Sequence, residues 1–167
     1  RKACKYPIFV FDEHSTDKTV EIARKNNVKV FFRQKKGYGE GIKCAMHTTL
    51  KLGFEYMVLL DCDGTYPPRY IPSLEEYASD YDLVMGVRDM KRIRFAHRFP
   101  NLFHTWLTNL LYGGNLHDVN TGMKIFNIKK FYKKINRPGM DLTVQFSLRA
   151  LKSRYSIKQV PIKYYDR

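Results

Sequence analysis

The residues best suited to chemistry sit at the ends of apolar runs. Tyr56 to Leu60 (YMVLL) is apolar throughout and leads directly into Asp61-Cys62-Asp63. Two carboxylates two residues apart, just past a strand, can share a divalent cation bound to a diphosphate. Mg²⁺ and Mn²⁺ prefer oxygen ligands, a few from protein and the rest from phosphate and water. Such a metal neutralises the charge that develops on a departing phosphate. Pro7 to Phe11 (PIFVF) ends in Asp12-Glu13, and Asp82 to Val87 (DLVMGV) ends in Arg88. One polar residue after a strand is an ordinary loop start. Three strands that each end in charge point to a site, because parallel α/β sheets gather ligands at the carboxyl ends of their strands.

Periodicity supplies the elements that must hold these residues. Asp17 is placed to cap a helix from Lys18 to about Asn26, with Val20 and Ala23 on one face. Val28 to Phe32 (VKVFF) reads as a second strand. Gly37, Gly39 and Gly41 interrupt the pattern, and then Ile42, Ala45, Met46 and Thr49 recur at helical spacing. YMVLL is expected to be covered on both faces. Ile157 to Tyr165 alternates only in part and suits a strand nearer an edge. Strands separated by helices imply right-handed βαβ units and a mainly parallel sheet. With no repeat, low-complexity tract or linker, residues 1–167 read as one α/β domain.

Composition narrows the partners. The chain has 167 residues, 44% of them hydrophobic, which excludes a disordered tail. Lys plus Arg is 30 and Asp plus Glu is 16, a net charge of +14. That surplus calls for an anionic partner: nucleic acid, a lipid surface or a phosphorylated substrate. No motif that reads DNA or RNA is present, and converging carboxylates would repel a phosphate backbone, so nucleic acid is not expected. Cys4, Cys44 and Cys62 are an odd count without CxxC spacing, which fits reduced thiols rather than a disulfide scaffold or a zinc knuckle. No apolar run approaches the roughly 20 residues of a spanning helix. The chain lacks an initiating Met and reaches a strand within a few residues, so it reads as a piece with N-terminal sequence missing.

One stretch admits two readings. Leu102, Phe103, Trp106, Leu107, Leu110 and Leu111 form an apolar stripe at helical spacing, with Pro100 suited to the first turn. Lys91, Arg92, Arg94, His97 and Arg98 lie upstream. Either this is a core helix after a basic loop, or it is an interfacial helix on anionic lipid. His47 and His104 read as surface or packing residues, and the Lys129-Lys130 and Lys133-Lys134 pairs as a solvated helix face.

The LLDCDGT string resembles the first motif of the haloacid dehalogenase phosphatases, in which the first Asp is a nucleophile and the second an acid/base. The later acidic pair of that family is absent, and two βα units precede the string. An ordered set of motifs resembles a different family. Phe11 to Thr19 (FDEHSTDKT) is similar to VDDGSTDGT. Arg33 to Gly39 (RQKKGYG) is similar to RQxNxGKG, and Leu60 to Pro68 (LDCDGTYPP) to LDADGTYPP. Gly86-Val87-Arg88 is similar to GSR, Asp118 to Lys124 (DVNTGMK) to DxxTGFR, and Val160 to Arg167 (VPIKYYDR) to VPIxYxxR. Together they resemble the family 2 glycosyltransferases of the GT-A fold, in the dolichol-phosphate (polyprenyl-phosphate) mannosyl- and glucosyltransferase branch. The family's opening strand and helix, with its SVVIPxYNE signature, are not in the chain.

That resemblance implies roles. Asp12, Glu13 and Gly37 would meet the donor nucleotide, and Asp61 the ribose and metal. Asp63 would be the main protein ligand of Mg²⁺ or Mn²⁺. Asp118 would lie near sugar and acceptor, with Thr121-Gly122 the turn beside it. Arg88, Arg98 and Arg167 would face phosphates, for which a planar, always charged guanidinium is suited. The implied reaction is an inverting transfer of a hexose from a UDP- or GDP-sugar to a polyprenyl (dolichyl) phosphate. The implied setting is an anionic membrane surface, on the cytoplasmic face. A glycan hydroxyl as acceptor would instead need a base, with Asp118 the candidate. His14, Glu13, Thr65, Lys124 and Gln145 depart from the family pattern.

Overall fold

The computed structural model describes residues 5–135, 139 and 142–165. Its strands are β1 (Phe9–Asp12), β2 (Lys29–Phe32), β3 (Tyr56–Leu59), β4 (Leu83–Arg88), β5 (Lys124–Asn127) and β6 (Ile157–Ile162). The helices are α1 (Thr19–Lys25), α2 (Tyr38–Lys51), α3 (Ile71–Glu75), α4 (Phe95–Tyr112), α5 (Ile128–Tyr132) and α6 (Leu142–Lys152). The expected α/β class holds. The Asp17 carboxylate accepts from Thr19 N–H at 2.9 Å and so meets a donor in the first turn of α1.

The sheet is mixed rather than mainly parallel. β1 and β2 pair in parallel as one ribbon. The other sheet has the order β3-β5-β4-β6, in which β4 and β6 are parallel but β5 runs antiparallel to both its neighbours. β5 is the strand that the apolar pattern does not reveal. It has four residues, starts on a charged Lys and passes directly into α5, so neither period has room to show. All four residues of β5 are nonetheless buried.

Two-faced burial belongs to β4 and β5, not to β3. Each residue of β3 is only half-buried, because β3 pairs with β5 alone among the described residues and its other edge is open. Along β4 the side chains alternate between two cores, as the period-2 pleat requires. Leu83 and Met85 join Ile42, Met46, Phe126, Phe131 and Phe146 under α2, α5 and α6. Val84 joins Leu74, Met123, Ile125 and Ile162 on the α3 side. Phe126 and Phe146 meet at 4.4 Å between ring centroids. β6 is an edge strand, as expected, and therefore tolerates Pro161 opposite Val87.

The helix after the basic loop begins earlier than expected. It starts at Phe95, so Pro100 lies inside it rather than in its first turn and removes one backbone hydrogen bond there.

Candidate functional site

The carboxyl ends of β1 and β3 and the loop before α2 converge. At the end of β1, the buried Asp12 carboxylate accepts from Ser15 N–H at 2.8 Å and from the Ser15 hydroxyl at 2.6 Å. Those hydrogen bonds hold its pKa below the usual carboxylate range. The turn requires a left-handed residue at position 14, where His14 takes φ 60°. The imidazole stacks on Phe32 at 5.2 Å, a contact that a glycine could not make.

Glu13 is tied to the glycine loop. It pairs with the Arg33 guanidinium and accepts from Gly37 N–H at 3.2 Å. Arg33 in turn donates to the Gly37 carbonyl. Gly37 takes φ 104°, a conformation that favours glycine. The structure brings Asp12, Glu13 and Gly37 to one rim, and Arg33 is the residue that joins them.

Tyr38, the next residue, bridges to the end of β3. Its hydroxyl donates to Asp61 Oδ1 at 3.1 Å. Burial, then the Asp61 charge, push the Tyr38 phenol well above its ordinary value. Burial also raises the Asp61 carboxyl, and the Tyr38 hydrogen bond offsets part of that rise. On its far side Asp61 lies against Gly122, where an added Cβ would stand 2.2 Å from Oδ2. Glycine is thus the residue that leaves this space clear. Asp63 is exposed, and its Oδ1 accepts from Thr65 N–H at 3.0 Å and the Thr65 hydroxyl at 2.5 Å. Thr65 therefore orients Asp63.

Asp61 and Asp63 suit a hard divalent cation. The donors are carboxylate oxygens, the missing side chain at Gly122 makes room for the Asp61 carboxylate, and a bound cation would counter the desolvation that raises Asp61. Among the described residues no three or more His, Cys, Asp or Glu side chains are grouped so that they could hold a metal ion together. Two protein ligands would leave the remaining positions to phosphate and water, the pattern that Mg²⁺ favours.

Beneath this rim lies a buried ion cluster. Asp118 is fully buried and takes a two-pronged grip from Arg88, with Nε to Oδ2 at 2.6 Å and a second guanidinium nitrogen to Oδ1 at 2.9 Å. Burial works against the Arg88 charge, but the hydrogen bonds and charge of Asp118 outweigh it and leave the guanidinium above its ordinary value. Arg88 also lies over the Tyr164 ring, 5.1 Å from its centroid. Tyr66 accepts from Gly122 N–H at 2.7 Å, and burial pushes its phenol up to about 12. Lys124 at the head of β5 is fully buried and donates to the Thr121 carbonyl. Burial pulls its ammonium down to about 7, against the pull of Asp118.

The structure thus brings Arg88 and Asp118 together, but as partners of one another. Arg98 stands apart on α4, half-buried and without an ion pair among the described residues. Arg167 lies outside the described residues. Sequence reasoning missed Tyr38, Tyr66 and the burial of Lys124. Tyr38 lies in RQKKGYG and Tyr66 in LDCDGTYPP, where a polar aromatic beside a glycine loop or an acidic loop is the available signal.

Comparison with known proteins shows the family and the fold. The profile of "Glycosyl transferase family 2" matches residues 2–137. The chain belongs to that family. A dolichyl-phosphate hexose transferase of Haloferax volcanii is 31% identical over 157 residues, covering 92% of this chain and 68% of the relative. An undecaprenyl-phosphate mannosyltransferase of Micrococcus luteus is 24% identical over 175 residues, covering 96% of this chain and 72% of the relative. Glucosyl-3-phosphoglycerate synthase of Mycobacterium tuberculosis, solved in complex with phosphoglyceric acid, superposes with a TM-score of 0.72 at 17% identity, over 96% of this chain and 61% of that one. The same synthase in complex with Mn²⁺, UDP-glucose and phosphoglyceric acid gives a TM-score of 0.67 at 17% identity, over 95% of this chain and 60% of that one. This family 2 chain has the GT-A fold, and it spans about 60% of those solved chains. The phosphatase alternative falls with the family assignment.

Proposed function

We propose that this family 2 chain is the catalytic domain of an inverting hexosyltransferase that uses a UDP- or GDP-sugar and a polyprenyl (dolichyl) phosphate acceptor. The carrying observation is the convergence of Asp12, Glu13, Asp61 and Asp63 around the Gly37 loop. Asp12, kept ionised by Ser15, accepts hydrogen bonds from the nucleoside. The Glu13–Arg33–Gly37 network shapes the loop that closes over it. Asp61 and Asp63 hold Mg²⁺ or Mn²⁺, which when bound screens the diphosphate as it leaves. The names of the Haloferax and Micrococcus relatives support a lipid-linked phosphate acceptor. The site of transfer is a membrane surface on its cytoplasmic face, in keeping with the free thiols of Cys44 and Cys62.

The state of Asp118 favours this acceptor over a glycan hydroxyl. A hydroxyl must lose a proton to a base, and a carboxylate that is fully buried and doubly gripped by Arg88 is poorly placed to take it. A lipid phosphate is already an anion and needs only positioning and charge screening. Asp118 then acts by holding Arg88 and the 118–122 turn, which leaves Arg98 of the described guanidinium groups named above to face a phosphate.

The test compares thermal shifts with UDP, with GDP and without nucleotide, each with and without Mn²⁺, for the parent and for Asp63→Ala. The expected result is a Mn²⁺-dependent rise with one nucleotide in the parent and none in the variant. Asp63 is exposed, so the variant's unfolding without ligand should stay close to the parent's. A parent that responds to neither nucleotide would sink the transferase reading. A variant that responds like the parent would remove Asp63 from the metal site.

A further inference from the structure

The segment that follows β6 runs back onto the loop that carries Asp63. Asp63 is exposed, and Thr65 orients it through an N–H and a hydroxyl. Thr65 is itself buried, and its carbonyl accepts from Tyr165 N–H at 3.0 Å. The Tyr165 hydroxyl accepts from Arg69 at 2.9 Å, in the turn that ends the same loop. Tyr164 makes the inner contact. Its ring meets the ring of the buried Tyr66 edge-on, with 5.1 Å between centroids and 65° between planes. The guanidinium of Arg88, already paired with Asp118, lies over the same ring. Tyr66 accepts from Gly122 N–H, and Gly122 lies against Asp61. Two adjacent residues thus reach both supports of the acidic pair. Tyr165 holds the Thr65 that orients Asp63, and Tyr164 backs the Tyr66 that holds the turn beside Asp61.

We infer that Tyr164 and Tyr165 are positioning residues, a strap that fixes the Asp61–Asp63 loop for its cation without touching the cation. The inference rests on the proposed metal site and adds a support drawn from the far end of the chain. Orientation is what the loop needs. An exposed carboxylate turns freely into water, and freedom that is lost only on binding weakens binding. A carboxylate set in advance avoids that loss. The two tyrosines do this by different means. Position 165 acts through its backbone N–H, which fixes the Thr65 carbonyl whatever the side chain. Position 164 acts through its ring, because an edge-on aromatic contact and a guanidinium lying over a face both require a π-system. An aliphatic residue at 164 supplies neither. Tyr164 also ties the Arg88–Asp118 pair to the open rim, so the buried pair braces the loop as well as the 118–122 turn.

Hydrogen exchange reads the strap without ligand, and titration with UDP or GDP at several Mn²⁺ concentrations reads what it does for the site. The variants are Tyr164→Ala, Tyr164→Phe and Tyr165→Pro, the last of which removes the amide donor at an exposed position. In Tyr164→Ala the Thr65 and Gly122 amides should exchange about tenfold or more faster. Those of the β1–β2 ribbon, a separate sheet, should keep the parent's rates. In Tyr165→Pro the Thr65 amide alone of the two should speed up. Both variants should bind nucleotide with Mn²⁺ about fivefold or more weakly, and excess Mn²⁺ should restore much of the loss. Tyr164→Phe keeps the ring and should match the parent in both measurements. Three outcomes would overturn the inference: unchanged Thr65 exchange in Tyr164→Ala and Tyr165→Pro, an equal acceleration of all slow amides, or local acceleration with the parent's Mn²⁺ dependence. Should Tyr164→Ala not fold, Tyr165→Pro decides between the same outcomes. A parent that binds neither nucleotide would sink the transferase, and the exchange rates would still decide the strap.

Discussion

The outer rim and the inner cluster use the same residue types to opposite ends. At the rim, Asp12 and Asp63 each accept one N–H and one hydroxyl, from Ser15 and from Thr65, Asp61 accepts from the Tyr38 hydroxyl, and Glu13 is held by Arg33 and the Gly37 N–H. Asp63 is exposed, Glu13 and Asp61 are half-buried, and Asp12 is buried. In the cluster, Asp118, Arg88 and Lys124 are buried and bound to one another or to backbone. A carboxylate with an open side can take a ligand, whereas one that already has a forked guanidinium cannot without breaking the fold. The difference teaches that acidic residues quoted together from motifs divide into those that meet ligand and those that hold the loops which do.

The largest effect should come from breaking the inner pair. Asp118→Asn leaves a buried guanidinium without its counter-charge, and stability should fall by about 3–5 kcal/mol in urea unfolding. Replacing both partners, Arg88→Met with Asp118→Leu, should recover most of that loss, since a buried ion pair is weak evidence for net stability. A single variant as stable as the parent would mean that Asp118 belongs with the open rim. Next comes Gly122→Ala, whose Cβ would stand 2.2 Å from Asp61 Oδ2 and 2.9 Å from the Tyr66 ring. Overpacking of this kind costs about 1–3 kcal/mol. It should also displace Asp61 and weaken Mn²⁺-dependent nucleotide binding by more than the stability loss explains.

Lys124 gives the comparison a pH dependence. Its folded value, about 7, lies below its ordinary value of 10.5. Between those values the folded chain carries the neutral amine while the unfolded chain still binds the proton. Stability contributed by this residue therefore rises with pH across that window, by at most about 1.4 kcal/mol per pH unit. Below pH 7 both states are protonated and the slope vanishes. Lys124→Met should flatten the rise between pH 7 and pH 10 in denaturation curves. An unchanged slope would show that water reaches the ammonium and that the cluster is not dry.

Much of this was legible in the residues. The motif ends of β1 and β3, the glycine loop and the α/β class were readable because each rests on a local pattern of apolar runs closed by charge. The antiparallel β5 was not, since four residues beginning with Lys carry no strand signature and only tertiary packing buries them. The pairing of Asp118 with Arg88 was also hidden. Thirty positions separate them in sequence, and spacing says nothing of which charge neutralises which. The orientation of α4 escaped as well, with Phe99, Trp106 and Leu110 exposed rather than in a core, because an apolar stripe has the same period whether it faces a core or the outside.

Tyr38 holds Asp61, whose other side lies against Gly122, and offers the smallest and sharpest cut. Tyr38→Phe removes one hydroxyl and nothing else. Loss of its bond to Asp61 should cost about 1 kcal/mol of stability. If Asp61 is a ligand of the rim, the variant should still bind nucleotide with Mn²⁺, but less tightly, because a carboxylate that must be oriented on binding forfeits part of the binding energy. Excess Mn²⁺ should restore much of the loss, since the cation itself then aligns the carboxylate. If Asp61 is instead architecture, like Asp118, the stability loss will appear alone and the Mn²⁺ titration will match the parent's. Calorimetric titration of parent and variant with UDP or GDP at several Mn²⁺ concentrations separates the two, and assigns Asp61 to one side of the comparison.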